Sequence, residues 1–359
     1  MVDAALGRAR LVAQGLVAQR FARPADVVSA FGAHQGQDLP GVLASVALRT
    51  RDTSVEAVVD AFARGEIVRG YPMRGTVFAL PGGDARWITE LCVAPGLREA
   101  ERLLRVNRPY TDDDLDRAVG CLHDVLAHGP RPRTELHAAW DRAGLMAPQG
   151  AGYHLLRHQV MRGAAVLGPI VDGDQQVALA STWLPPGSGL EDRFNGDRDA
   201  ATAELLRRYL TSHGPATLRD FAWWTKLPLG QVRRAAALIR DQVDQVDQER
   251  FQRPGLADEI RKAGRAASRP LLLPGFDEFL LGYQDRLFAV TEDHHRRLVP
   301  GNNGMFQKSA VSGGRVVGLW KRGGAAGRRH LDLTELEPLA PRTRARFDTL
   351  FETFPFHTP

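Results

Sequence analysis

The chain has 359 residues, 43% hydrophobic and 25% charged, a balance that suits a soluble globular protein of two or three modules and excludes a disordered or collagen-like chain. No stretch approaches the roughly 20 apolar residues that cross a bilayer, and the N-terminus lacks a charged start followed by an apolar run, so a cytoplasmic protein is expected. The formal charge is +5, and of 47 basic residues only four are lysine, the rest being arginine, whose planar fork suits phosphate and guanine; the balance is compatible with a nucleic-acid partner.

Apolar residues recur at helical spacing from Ala4 to Gln19, and Pro24 opens a second helix through Val27, Val28 and Phe31. The stretch Ala33-His34-Gln35-Gly36-Gln37-Asp38-Leu39-Pro40 ends that helix and precedes a third, from Pro40 to about Leu48. A fourth helix starts after the N-cap residue Ser54. Two short β-like segments, 66–71 and 74–80, then give the order of a winged helix, several helices followed by a hairpin. The order recurs. Helical runs at 84–105, from Thr111-Asp112-Asp113-Asp114 to His128-Gly129-Pro130, at 134–142 and at 150–162 precede strands at 165–171 and 175–180. A third run, from about Asp199 to Leu210, ends at His213-Gly214-Pro215 and is followed by a helix-turn-helix pattern broken at Leu227-Pro228, with Arg233 and Arg234 on its second helix.

The last hundred residues are β-rich and turn-rich, with a glycine-punctuated loop at Pro300-Gly301-Asn302-Asn303-Gly304 and a closing helix from about Pro341 to Phe354. The expected fold is therefore α+β and mainly α. Three tandem winged-helix modules occupy 1–107, 108–184 and 195–265, and a small C-terminal β domain with a closing helix occupies 266–359.

Among the chemical candidates, Gln35 and Gln37 are neutral amides beside the carboxylate of Asp38. Such groups hold a water or a base edge, although the residues alone favour an ordinary polar turn. Asp277 and Glu278 are placed at a strand edge, more in keeping with a salt bridge to arginine than with chemistry. His294-His295 reads as a solvated polar turn, since adjacent histidines chelate one ion poorly. Trp223-Trp224 reads as core or interface. Arg233 and Arg234 suit phosphate contact. Cys92 and Cys121 lack partners at metal-binding spacing, and no phosphate loop, dinucleotide fingerprint, serine elbow or zinc-protease helix is present, so no metal and no cofactor is expected.

The set formed by Gln35-Gly36-Gln37-Asp38, Arg69-Gly70-Tyr71-Pro72-Met73-Arg74-Gly75-Thr76, the segment Leu273-Pro274-Gly275-Phe276-Asp277-Glu278-Phe279-Leu280-Leu281-Gly282-Tyr283, and Gly301-Asn302-Asn303-Gly304 with Gly314-Arg315-Val316-Val317-Gly318-Leu319-Trp320 resembles the winged-helix alkylpurine DNA glycosylases of the AlkZ and YcaQ type. The likeness covers nearly the whole chain and falls on the Gln-x-Gln branch, departing at Gly36, where the family has an aliphatic residue. It implies a monofunctional glycosylase in which Gln35 and Gln37 are the catalytic pair, with Asp38 lending electrostatic help. The partner implied is double-stranded DNA with N7-alkylated purines, bulky or crosslinked adducts of genotoxic metabolites among them, bound by a monomer and not by a membrane-associated protein. Arg69, Arg74, Arg233, Arg234, Asn302, Asn303, Lys308 and Arg315 are the expected DNA contacts. The rival class is a non-catalytic winged-helix DNA binder or transcription regulator.

Overall fold

The computed structural model describes residues 2–18, 21–106, 110–146, 150–325 and 327–357. It is a mixed structure of helices and small antiparallel sheets. Helices α1 (Ala4–Ala13) and α2 (Pro24–Phe31) lead into a two-residue strand β1 (His34–Gln35), helices α3 (Leu39–Ala47) and α4 (Val55–Ala63), and the hairpin β2 (Ile67–Met73) and β3 (Thr76–Pro81). The first helix stops short of the expected end at Gln19, a residue that lies outside the described ones. Ser54 caps α4 as expected, its hydroxyl accepting from the Ala57 amide at 3.1 Å.

The expected single helix over 84–105 is two, α5 (Ala85–Cys92) and α6 (Ala94–Val106). Helices α7 (Asp112–Leu126), α8 (Arg133–Arg142) and α9 (Ala151–Met161) follow, then the hairpin β4 (Ala165–Val171) and β5 (Asp174–Leu179). Thr111 and Asp114 form a reciprocal capping box that starts α7, which is why three acids cluster there. After short helices α10 (Ala180–Trp183) and α11 (Leu190–Phe194), the long α12 (Arg198–His213) precedes β6 (Ala216–Thr217), α13 (Leu218–Thr225), α14 (Leu229–Leu238), β7 (Asp244–Gln245) and β8 (Arg250–Gln252). Helix, short strand or bridge, two helices and a hairpin thus recur, the bridge of the second run being Arg131 to Val177.

The hairpins are not separate wings. β1 to β5 form one sheet in the order β1-β3-β2-β4-β5, with Arg69 of β2 opposite Leu167 of β4. β2 therefore lies between two strands, and every one of its residues is buried.

The C-terminal region begins with α15 (Leu256–Ala263) and holds a second sheet, β12-β11-β10-β9, built from β9 (Leu271–Leu273), β10 (Lys308–Ser312), β11 (Arg315–Gly323) and β12 (His330–Glu335). Helix α18 (Pro341–Glu352) packs Phe347 and Phe351 against Val317 and Trp320 of this sheet. Two short helices interrupt what read as strand and turn: α16 (Glu278–Leu281), capped by Asp277, and α17 (Glu292–Leu298), which carries His294 and His295. One continuous core joins Phe78 of the first hairpin, Leu205 of α12, Trp224 of α13 and Leu273 of β9, so the C-terminal sheet and the third run of helices are packed onto the hairpin with which the glutamine-bearing strand pairs.

Candidate active site

The glutamine stretch is not a free polar turn. At Gly32 the φ of +76° stops α2, and the chain reverses into β1, where His34 and Gln35 pair with Ala79 and Phe78 of β3. Both side chains are buried, His34 completely and Gln35 at 3% exposure. Asp38 then caps α3, accepting from the Gly41 amide at 3.0 Å, with Pro40 in the first turn. Gln35 to Asp38 thus bridge a strand end and a helix start, two rigid anchors.

Gly36 has a structural reason. A β-carbon at this position would lie 2.9 Å from the Ala79 amide nitrogen and 3.1 Å from the Phe78 carbonyl carbon, so the loop lies directly on the backbone of β3. Its own N–H donates to the Val77 carbonyl at 2.9 Å.

Both glutamine carbonyls are committed to backbone donors. Gln35 Oε1 accepts from the Gly36 and Gln37 amides at 2.9 and 3.1 Å, and Gln37 Oε1 accepts from the Val77 amide at 3.1 Å. This fixes the orientation of each amide and leaves the NH2 ends as the groups available to a ligand. Gln37 is exposed, and Asp38 is half-buried beside it.

Arg69 underlies the loop. Its guanidinium donates to the Gly36 carbonyl through Nε at 2.9 Å and through Nη2 at 2.5 Å, and to the Gln175 side chain through Nη1. Burial lowers its pKa to about 10, which leaves it charged. Arg69, expected among the DNA contacts, is 6% exposed, with its guanidinium engaged by the loop and by Gln175. No local signal marks this: the burial comes with the pairing of β2 to β4, which places Arg69 in the middle of the sheet.

From behind, one turn grips both ends of the loop. Glu278 Oε1 accepts from the Gln35 amide at 2.7 Å while its Oε2 meets His213 Nε2 at 3.1 Å. The adjacent Asp277 takes the two ends of the Arg49 guanidinium at 2.9 Å each and the Ser45 hydroxyl, and Ser45 also meets His34 Nε2 at 2.8 Å. Burial works to raise the pKa of both acids, but the Arg49 charge for Asp277 and the His213 hydrogen bond for Glu278 hold them below the ordinary carboxylate range. The salt bridge to arginine expected for these acids is present for Asp277, on a helix cap and not a strand edge, while Glu278 meets His213.

The other expected DNA contacts are scattered. Arg74 is folded over Trp223, 4.5 Å from the ring centre, and one Nη reaches the Leu281 carbonyl. Burial takes its pKa down to about 10. Trp224 is fully buried, in keeping with a core reading of that pair. Arg233 is exposed, whereas Arg234 is engaged by Asp199 in a two-pronged pair at 2.6 and 3.0 Å. Asn302 and Asn303 sit exposed on a single turn, Lys308 lies 5.0 Å from the Trp320 ring centre, and Arg315 pairs with Glu337 at 2.9 Å. No group of three metal-ligating side chains occurs among the described residues, and none of their helices is long and apolar enough to cross a membrane.

Comparison with known proteins gives the class. The profile of the family described as DNA glycosylase AlkZ-like matches residues 28–354, so the chain belongs to that family and is a DNA N-glycosylase. Among particular proteins, it is 25% identical over 307 residues to an interstrand DNA cross-link repair glycosylase of Streptomyces sahachiroi, spanning 82% of this chain and 81% of the relative. It also shares the fold of the Streptomyces sahachiroi DNA glycosylase AlkZ, with a TM-score of 0.70 at 21% identity, covering 96% of this chain and 94% of that one.

Proposed function

We propose that the protein hydrolyses the N-glycosidic bond of N7-alkylated purines in DNA, with Gln35, Gln37 and Asp38 as the catalytic groups and no cofactor. The observation that carries this reading is the fixing of both glutamine carbonyls by backbone N–H groups, which presents two oriented amide donors beside a carboxylate. A water held there accepts one hydrogen bond from an amide NH2, donates one to Asp38, and keeps a lone pair for the sugar carbon. The N7-alkylated base carries a positive charge, so when the C–N bond breaks its electron pair leaves with the base, which departs neutral without a general acid. Asp38 stabilises the developing oxocarbenium charge, the task that glycosidases assign to a carboxylate.

The recurring order of helices and hairpins supports three winged-helix modules, at 1–107, 108–184 and 195–265, ahead of a C-terminal domain at 266–359. Arg233 and the exposed Asn302 and Asn303 are the best placed of the DNA contacts; Arg234, Lys308 and Arg315 reach phosphate by exchanging an internal partner. The protein acts as a monomer. The name of the cross-link repair relative supports crosslinked adducts as substrates; bulky adducts and self-resistance to a genotoxic metabolite are our extension of that reading. The test is release of free base from a duplex containing N7-methylguanine or an N7 crosslink. Wild-type protein should release base and the Gln35→Ala/Gln37→Ala double variant should bind the duplex without release. Binding without release by the wild type would mark a non-catalytic DNA binder.

A further inference from the structure

Gln37 and Asp38 border a cavity of about 390 Å³ between the loop and the second run of helices. This is the size of a site for a drug-sized ligand and far exceeds what a methyl group fills. Part of its lining is aromatic. Tyr71 of β2 and Tyr153 of α9 both line it, and Leu156 and Val177 complete an apolar surface. The polar groups of the floor ask nothing of a ligand, because Gln175 is spent on Arg69 and on the Leu167 and Gly168 carbonyls while Arg69 is spent on Gly36. Tyr153 is 51% exposed, and its one ring contact among the described residues is edge-on to the neighbouring His154. A large ring left half in water while lining a cavity is a presented surface and not a core group. Arg133, paired with Asp174 at 3.3 Å, stands at the cavity's edge.

We propose that this cavity receives a planar aromatic group attached to the alkylated purine, with Tyr153 as its stacking face. Burial, followed by the electrostatic effect of the neighbouring Tyr153 hydroxyl, raises the Tyr71 pKa, so Tyr71 remains a neutral phenol in the cavity lining. Stacking on a neutral ring selects flatness and size over sequence. The geometry ties selection to chemistry, since Gln37 and Asp38 line the same cavity as Tyr153. The inference rests on the glycosylase reading of that loop.

The experiment measures single-turnover base release from two duplexes, one carrying N7-methylguanine and one carrying N7-(naphthylmethyl)guanine, for wild type, Tyr153→Ala and Tyr153→Phe. Tyr153→Ala should lower the naphthylmethyl rate relative to the methyl rate by on the order of tenfold, and Tyr153→Phe, which keeps the ring, should recover most of it. Circular dichroism melting should show no loss of fold, as expected of a half-exposed side chain. Equal loss on both substrates, or a weaker and less salt-sensitive affinity for undamaged duplex, would make Tyr153 a backbone contact and overturn the inference. An unchanged ratio overturns it as well. Failure of the wild type to release either base would instead strike the glycosylase reading of the loop.

Discussion

Glu278 and Gln35 are 243 residues apart in sequence, yet the Glu278 carboxylate accepts the Gln35 amide at 2.7 Å in a fully buried setting. The same carboxylate is closed on its other oxygen by His213 at the end of α12, so the strand bearing the first glutamine is held by two distant parts of the chain. Asp277 anchors α3, the helix into which the second glutamine leads, through Ser45 and Arg49. Two consecutive residues therefore set the spacing across the loop.

Glu278→Ala should leave the Gln35 amide and His213 buried without an acceptor, at a cost of about 3 kcal/mol or more. Glu278→Gln keeps a carbonyl for the Gln35 amide and should recover much of both stability and excision rate. Urea denaturation and single-turnover excision measure the two effects. If the alanine variant excised base at the wild-type rate, Glu278 would have no part in positioning Gln35.

The buried network also gives stability a pH dependence. Burial first, then the Arg49 charge, lowers the His34 pKa from 6.5 to about 3, so the folded ring stays neutral. Below about pH 6.5 the unfolded chain takes up a proton that the folded one refuses, and stability should fall progressively from 6.5 toward 3. Asp277 and Glu278, whose folded pKa values are depressed, add stability that is present above their unfolded pKa values near 4 and is lost as the pH drops through the folded ones. His34→Asn should flatten the upper part of this curve, between about 6.5 and 4.5, and leave the lower part. Urea midpoints across that range would show no flattening if His34 were not the source.

Much of this was legible in the sequence. Helix starts at Pro24, Ser54 and Thr111 carry local signals, and the recurring order of helices and hairpins survives in the structure. Long-range partners were not legible. Nothing local says that β2 pairs with β4, yet that pairing buries Arg69, expected as a DNA contact, against the Gly36 carbonyl. Likewise a glutamine-rich stretch after a helix reads as a solvated turn until Phe78 and Ala79 arrive from 43 or more residues away to make it a strand. The pairing energy that places Gln35 is tertiary, and propensity does not contain it.

Gly36 should resist replacement despite its ordinary φ. Gly36→Ala places a methyl against the Phe78–Ala79 backbone, which does not yield as a flexible side chain does, so the loop must lift off β3. The expected loss is about 1–3 kcal/mol, together with a slower excision rate and an unchanged affinity for undamaged duplex. Gly36→Val should be worse on both counts. Melting temperatures and single-turnover rates compare the two, and an alanine variant with native stability would mean that the loop has room to shift.

Arg69 and Arg233 should separate loop support from phosphate contact. Arg233 is exposed on α14, so Arg233→Ala should weaken binding to any duplex, reduce the slope of log affinity against log salt by about 1, and leave excision at saturating enzyme near the wild-type rate. Arg69 is buried, with its fork spread over the Gly36 carbonyl and the Gln175 side chain. Lysine keeps the charge but has no fork, so Arg69→Lys should lower the excision rate at saturation and leave the salt slope as it is. Fluorescence-anisotropy titrations from low to physiological salt, run beside single-turnover assays, give both readouts for each variant. A salt slope that fell by about 1 for Arg69→Lys would return this residue to the DNA interface, whereas a loss confined to the excision rate makes it the floor on which the two amides are aimed.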